Sequence, residues 1–167
     1  MSTVAPDLNA FQQFVDSPCV LAWSVHAAND TLRRQLVPTT RYTMVELRQS
    51  LIDTLLQRPH PRLRSTMLEV VLIDQLNDTP TAANELVSFC KVIQEQVRGV
   101  KLVVNLIPFN DIGHPTYQKP SHEAVQTFQS ILWNGGIHAH IRTTRGDDES
   151  AACGQLATKK LMSQQRL

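Results

Sequence analysis

No apolar run in this chain approaches the roughly 20 residues needed to cross a bilayer. The opening segment MSTVAPDLNA has neither a basic start nor an apolar signal core, so a secretory leader is not expected. Cysteine is scarce, with three residues at 19, 90 and 153. That spacing argues against a disulfide framework and for a reducing compartment. It also provides no CxxC or Cys/His ligand spacing for zinc or an iron–sulfur cluster. Neither sign of charge dominates: 16 Lys and Arg stand against 15 Asp and Glu. A strong overall field toward nucleic acid is therefore absent, and only local patches could bind one. Internal repeats, low-complexity tracts and convincing linkers are missing as well. With 42% apolar residues over 167 positions, the chain reads as one soluble globular domain of ordinary size.

Four stretches read as strands. VLAWSV (20–25), MLEVVLI (67–73) and KLVVNLI (101–107) are near-continuous apolar runs, the pattern of parallel strands covered on both faces. IHAHIRTT (137–144) alternates instead, with Ile137, Ala139 and Ile141 against His138, His140 and Arg142, which predicts one less buried face. Helical patterns fall between them. The segment 43–57 opens with Thr43 and Glu46 at capping-box spacing and carries Leu47, Leu51, Ile52 and Leu55 on one stripe. The segment 80–97 follows Thr79 as a cap and Pro80 at the first helical position. The segment 121–136 starts at Ser121 and stops at Gly135.

Strands alternating with helices predict an α/β fold with a parallel sheet. In such sheets chemistry gathers beyond the C-terminal ends of the strands. Those ends carry Ser24-Val25-His26, the run Asn105 to Asn110, and Gly146-Asp147-Asp148. A closed (β/α)8 barrel takes roughly 250 residues, more than are present, and even a six-stranded partial barrel asks for more. Four strands could instead make an open sheet with two edges to protect.

Taken together, SVHAANDTLRRQLVP (24–38), LIDQLND (72–78), NLIPFN (105–110) and RGDDESAACGQL (145–156) resemble the radical-SAM adenine carbon-2 methyltransferases of ribosomal and transfer RNA. STVAP (2–6) is similar to a strand motif of the same family. The resemblance implies the C-terminal half of a radical-SAM partial (β/α) barrel, with residues 1–145 as incomplete core and 146–167 as a tail. It implies S-adenosylmethionine as cofactor and rRNA, and possibly tRNA, as partner. Complete members also hold a 4Fe–4S cluster through a CxxxCxxC motif, carry a second reactive cysteine, and have an N-terminal RNA-binding domain. None of these three features is in this sequence. The chain alone is thus expected to be inactive, its missing half lying in the same chain or in a separate one. A split-enzyme subunit and an inactive RNA- or ribosome-binding module stay open as alternatives. The expected compartment is the cytoplasm, with a plastid or mitochondrion as the alternative.

By the same resemblance, Cys153 matches the catalytic cysteine that accepts a methyl group before its transfer to adenine. The residues around it are compatible: Asp148 could cap a helix placing Cys153 in its first turns, where backbone N–H groups favour a thiolate. Taken from the residues alone, a buried structural cysteine fits as well. Ser24, Val25 and His26 match the family's Ser-Leu-His contact to S-adenosylmethionine, with Val25 replacing leucine. Asn110 and Ser2 match further contacts to that cofactor. Cys19 and Cys90 are assigned to the core. Metal ligands are not expected: His138 and His140 share a strand face, but two ligands do not make a site. Asp147 and Asp148 are better explained by capping than by paired acid–base chemistry. Arg33, Arg34, Arg142, Arg145, Lys159 and Lys160 are candidates for phosphate contact or for solvated surface.

Overall fold

The computed structural model describes residues 2–110 and 115–142. Their elements are, in order, β1 (Ser2–Thr3), β2 (Leu21–Ser24), α1 (Asp30–Leu36), α2 (Met44–Gln57), β3 (Ser65–Leu72), α3 (Pro80–Gln96), β4 (Lys101–Pro108), α4 (His122–Asn134) and β5 (His138–Ile141). Short 3-10 turns cover Leu8–Phe14 and Pro61–Leu63. All five strands are parallel and lie in the order β1-β2-β3-β4-β5.

This sequential order places the helices. A right-handed crossover repeated in one direction across a sheet returns every connection to the same face. Burial follows that rule. Along β3, Thr66, Leu68, Val70 and Leu72 are buried, while Ser65, Met67, Glu69 and Val71 are only half-buried. Along β4, Leu102, Val104 and Leu106 are buried against half-buried Val103, Asn105 and Ile107. The apolar runs had suggested cover on both faces; among the described residues, helices cover one. Met67, Val71, Val103 and Ile107 belong to the open face, and their apolarity made the runs look continuous.

The helices form where local chemistry starts and stops them. Thr43 and Glu46 make the reciprocal capping box, with Glu46 N–H donating to Thr43 Oγ1 at 3.2 Å and Thr43 N–H to Glu46 Oε2 at 2.8 Å. Thr79 Oγ1 caps α3 with Pro80 in its first turn, and Ser121 Oγ caps α4. The stripes of α2, α3 and α4 then enter one core with Trp23, Leu68 and Val104. Each large apolar side chain fully buried there contributes about 1.5–3 kcal/mol. Trp23 sits at the centre, edge-on to Phe11 at 5.1 Å and tilted on Phe89 at 5.8 Å.

Two elements go beyond the apolar patterning, the second of them at the segment whose resemblance implied a strand. The seven-residue α1 is capped by Asn29, whose Oδ1 accepts from Leu32 N–H at 2.9 Å. β1 makes a fifth strand from the STVAP segment, pairing Ser2 with Ala22 and Thr3 with Trp23.

Candidate functional site

The C-terminal edge of the sheet is where its backbone departs from the ordinary. Ala5 (φ 50°), His26 (φ 56°) and Gln75 (φ 54°) are non-glycine residues in the left-handed region. They lie just past β1, β2 and β3. Such conformations cost on the order of 1–2 kcal/mol each and persist only where the surroundings fix them. At β2 that fixing is visible. Val25 N–H and His26 N–H both donate to Glu69 O, at 2.9 and 3.2 Å. Arg33 Nη1 donates to Ser24 O (2.7 Å) and Val25 O (2.8 Å), while its Nη2 donates to Val4 O beyond β1. Asn77 Nδ2 donates to His26 O at 2.9 Å.

Arg33 is therefore a buried staple joining the ends of β1 and β2. Its guanidinium also lies 5.9 Å from the Trp23 ring centroid, and burial lowers its pKa to about 10. As a candidate phosphate contact it is corrected: the charge is spent on carbonyls inside the molecule. Arg34 and Arg142 stay exposed, whereas Arg145, Lys159 and Lys160 lie outside the described residues.

These bonds also run through the Ser-Val-His segment. The Val25 side chain is fully buried in the helix-covered core, and its N–H and C=O are engaged within the protein. Ser24 and His26 on either side of it are half-buried. Ser24 Oγ donates to Glu69 Oε2 at 3.3 Å. His26 Nδ1 accepts from Val71 N–H at 3.2 Å. Burial, aided by the positive charge of Arg33, holds the His26 pKa down to about 4. The ring is thus neutral at pH 7 with its proton on Nε2, a donor.

Strand register brings further side chains together on the open face. Ser24, Glu69, Asn105 and His140 occupy one row across four strands. Ser2, Ala22, Met67, Val103 and His138 form the next row toward the strand N-termini. Ser2 is exposed there at the sheet margin, one row from Ser24. Asn110 follows β4 at the edge, half-buried, just after Phe109, whose N–H donates to Leu72 O at 2.8 Å. Its side-chain amide makes no hydrogen bond among the described residues. Sequence reading named Asn105 at a strand end and missed Glu69, whose signal was a polar residue inside an apolar run. On β5, His138 and His140 stand edge-to-face at 5.4 Å.

In the loop between β3 and α3, Asp78 carries a raised carboxyl pKa, first from burial and then from the neighbouring Asp74 charge. Asp74 N–H donates to Gln118 O at 3.1 Å, tying this loop to the segment returning from β4.

The cysteines do not converge. Cys90 is buried in α3 and its thiol is pushed up to about 12, an inert core position. Cys19 is exposed rather than in the core: it sits before β2 in a bend whose carbonyls are gripped by Arg58. Cys153, with Asp147 and Asp148, lies outside the described residues. Among the described residues no three His, Cys, Asp or Glu side chains gather as a metal site, so a three-thiolate cluster does not fit them. Ser24, His26 and Asn110, by contrast, place half-buried polar side chains at or just past the C-terminal ends of β2 and β4.

No protein-family model matches the chain. It is 39% identical to the dual-specificity RNA methyltransferase RlmN of Saccharophagus degradans over 160 residues, 93% of this chain and 37% of the relative. It is 40% identical to the RlmN of Marinobacter nauticus over 156 residues, 93% of this chain and 39% of that protein. The chain thus spans less than two fifths of these curated relatives. Among solved structures, a radical SAM methyltransferase from Sphaerobacter thermophilus superposes with a TM-score of 0.75 at 36% identity, over 92% of this chain and 42% of that one. A domain of pyruvate-formate lyase-activating enzyme from Bacteroides vulgatus shares the fold, with a TM-score of 0.60 at 16% identity over 85% of this chain and 79% of that one. Over the segment it spans, the chain is similar to the RlmN dual-specificity RNA methyltransferases and to a radical SAM methyltransferase of solved structure.

Proposed function

We propose that the chain is the S-adenosylmethionine-binding and methyl-accepting part of an RNA methyltransferase acting on carbon-2 of adenine in 23S-type rRNA, and possibly in tRNA. The observation that carries this reading is the construction of the strand ends. The segments that resemble the family's cofactor contacts, Ser24 to His26 and the residues up to Asn110, meet one edge of the sheet. There an internal network holds the carbonyls of Ser24, Val25 and His26.

Bound S-adenosylmethionine would supply methyl donation and radical initiation. Within this chain, Ser24 Oγ would offer a hydroxyl already polarised by Glu69, and His26 Nε2–H a neutral donor. Asn110 would offer both amide donor and acceptor, and Ser2 a hydroxyl at the margin. Cys153 would take the methyl group on its sulfur as the sulfonium S–CH3 bond breaks, leaving S-adenosylhomocysteine and the thiol's proton. The open sheet face, lined by Met67, Val71, Val103 and Ile107, would exclude water beside them. In this reading the cell compartment is the cytoplasm, and the partner is RNA.

Cluster ligands in CxxxCxxC spacing are not in these 167 residues. The 167-residue chain by itself is therefore expected to form no 2-methyladenosine when given S-adenosylmethionine, a reductant and rRNA. Digestion of the RNA to nucleosides and mass spectrometry reads the result. Methylation by the chain alone would overturn the assignment of roles.

A further inference from the structure

The pairing of β2 with β3 ends at Ser24 opposite Glu69, and past that point the two chains diverge. Two side chains replace the missing ladder. The His26 ring accepts from Val71 N–H at 3.2 Å, and the Asn77 amide binds Val71 O at 2.7 Å and His26 O at 2.9 Å. Asn77 Oδ1 accepts from Ile73 N–H at 2.8 Å, so the amide spans both chains. Only 1% of Asn77 is exposed. Asn77 is itself held by a tight turn, its N–H reaching Ile73 O at 3.4 Å.

We propose that Asn77 is a positioning residue. It clamps Val71 and the left-handed His26 so that the ring keeps Nδ1 as acceptor and presents Nε2–H to a hydrogen-bond acceptor on the nucleoside cofactor. The ligand in this statement rests on the functional reading above; the clamp does not. The chemistry of the amide is specific. Two donors on one nitrogen bridge carbonyls of two strands while the oxygen takes a backbone N–H. Aspartate has the same shape and no donor. Serine is too short, and glutamine adds a methylene in a sealed space. Val71 is held from both sides, its N–H by the ring and its C=O by Asn77, so loss of the clamp frees the group that selects the tautomer. Charged side chains facing the ring region are Arg33 from α1 and Glu69 from β3.

The test uses the 167-residue chain labelled with 15N-histidine. Imidazole spectra of the wild type should show His26 protonated at Nε2 and untitrated until about pH 4. In Asn77→Asp the ring should sample both tautomers and titrate closer to the ordinary histidine value. Dissociation of S-adenosylmethionine, measured calorimetrically, should rise about tenfold, the loss of roughly one well-placed hydrogen bond. A folded Asn77→Asp with unchanged His26 spectra would overturn the proposal, as would a wild-type ring protonated at Nδ1. Should Asn77→Asp fail to fold, the wild type decides: slow exchange of the Asn77 Nδ2 protons supports the clamp, and rapid exchange contradicts it. The ring spectra need no ligand. If wild-type chain does not bind S-adenosylmethionine, the functional reading and the cofactor clause fail, while the spectra still judge the clamp.

Discussion

His26 makes the native state acid-sensitive. Its folded pKa, about 4, lies below the ordinary value of 6.5. Between those values the unfolded chain binds more protons, so stability rises with pH. The ring's contribution is complete above pH 6.5 and is lost as pH falls toward 4. Urea unfolding should show stability falling by roughly 2 kcal/mol between pH 7 and pH 5, and His26→Gln should flatten that slope. Asp78 works in the opposite sense. Its raised pKa means the folded state holds the proton more tightly, so stability falls as pH rises through that pKa. Asp78→Asn should stabilise the protein at pH 7, by no more than about 1 kcal/mol because water screens part of the repulsion. Resemblance alone gave roles to Ser24, His26 and Asn110. Asn77 was quoted within a motif but given no task, and Arg33 read as a phosphate contact or solvated surface. Their acceptors lie elsewhere in the chain, Val4 for Arg33 and His26 for Asn77, and no local pattern encodes such pairings.

At the scale of elements, legibility followed the range of the forces. Thr43, Thr79 and Ser121 act on backbone three residues away, so these helix starts were readable. The two-residue β1 is a strand only because β2 lies beside it. The end of α4 shows a local signal with a nonlocal cause. Gly135 is right-handed and Gly136 carries the positive φ of 77°. What Gly135 provides is room: a Cβ there would lie 2.6 Å from Val87 Cγ1 on α3. Gly135→Ala should therefore cost about 1–3 kcal/mol by overpacking, measured as a lower Tm. The edge strand β5 shows another device. Ala139 O accepts from Gln129 Nε2 at 3.0 Å and Trp133 Nε1 at 3.1 Å, which blocks a carbonyl that could recruit another strand. That explains a tryptophan 55% exposed on α4. The double change Gln129→Ala, Trp133→Phe should leave the helix intact and increase self-association, read by light scattering.

For the whole molecule, alternation of strands and helices was enough to read an α/β parallel sheet, because crossover handedness leaves few topologies. The one-sided cover was not legible, since apolar residues on an open face look like core. The central claim is that this chain supplies the methyl-accepting cysteine and the cofactor contacts of an RNA adenine methyltransferase. The most direct measurement is a chimera in which these residues replace the matching segment of the Saccharophagus degradans relative. Its rRNA and tRNA products would be analysed by nucleoside mass spectrometry. The account predicts 2-methyladenosine formation by the chimera, abolished by Cys153→Ala and sharply reduced by His26→Ala. Methylation that persists at full rate in Cys153→Ala, or a folded, cluster-loaded chimera that makes no 2-methyladenosine, would contradict it.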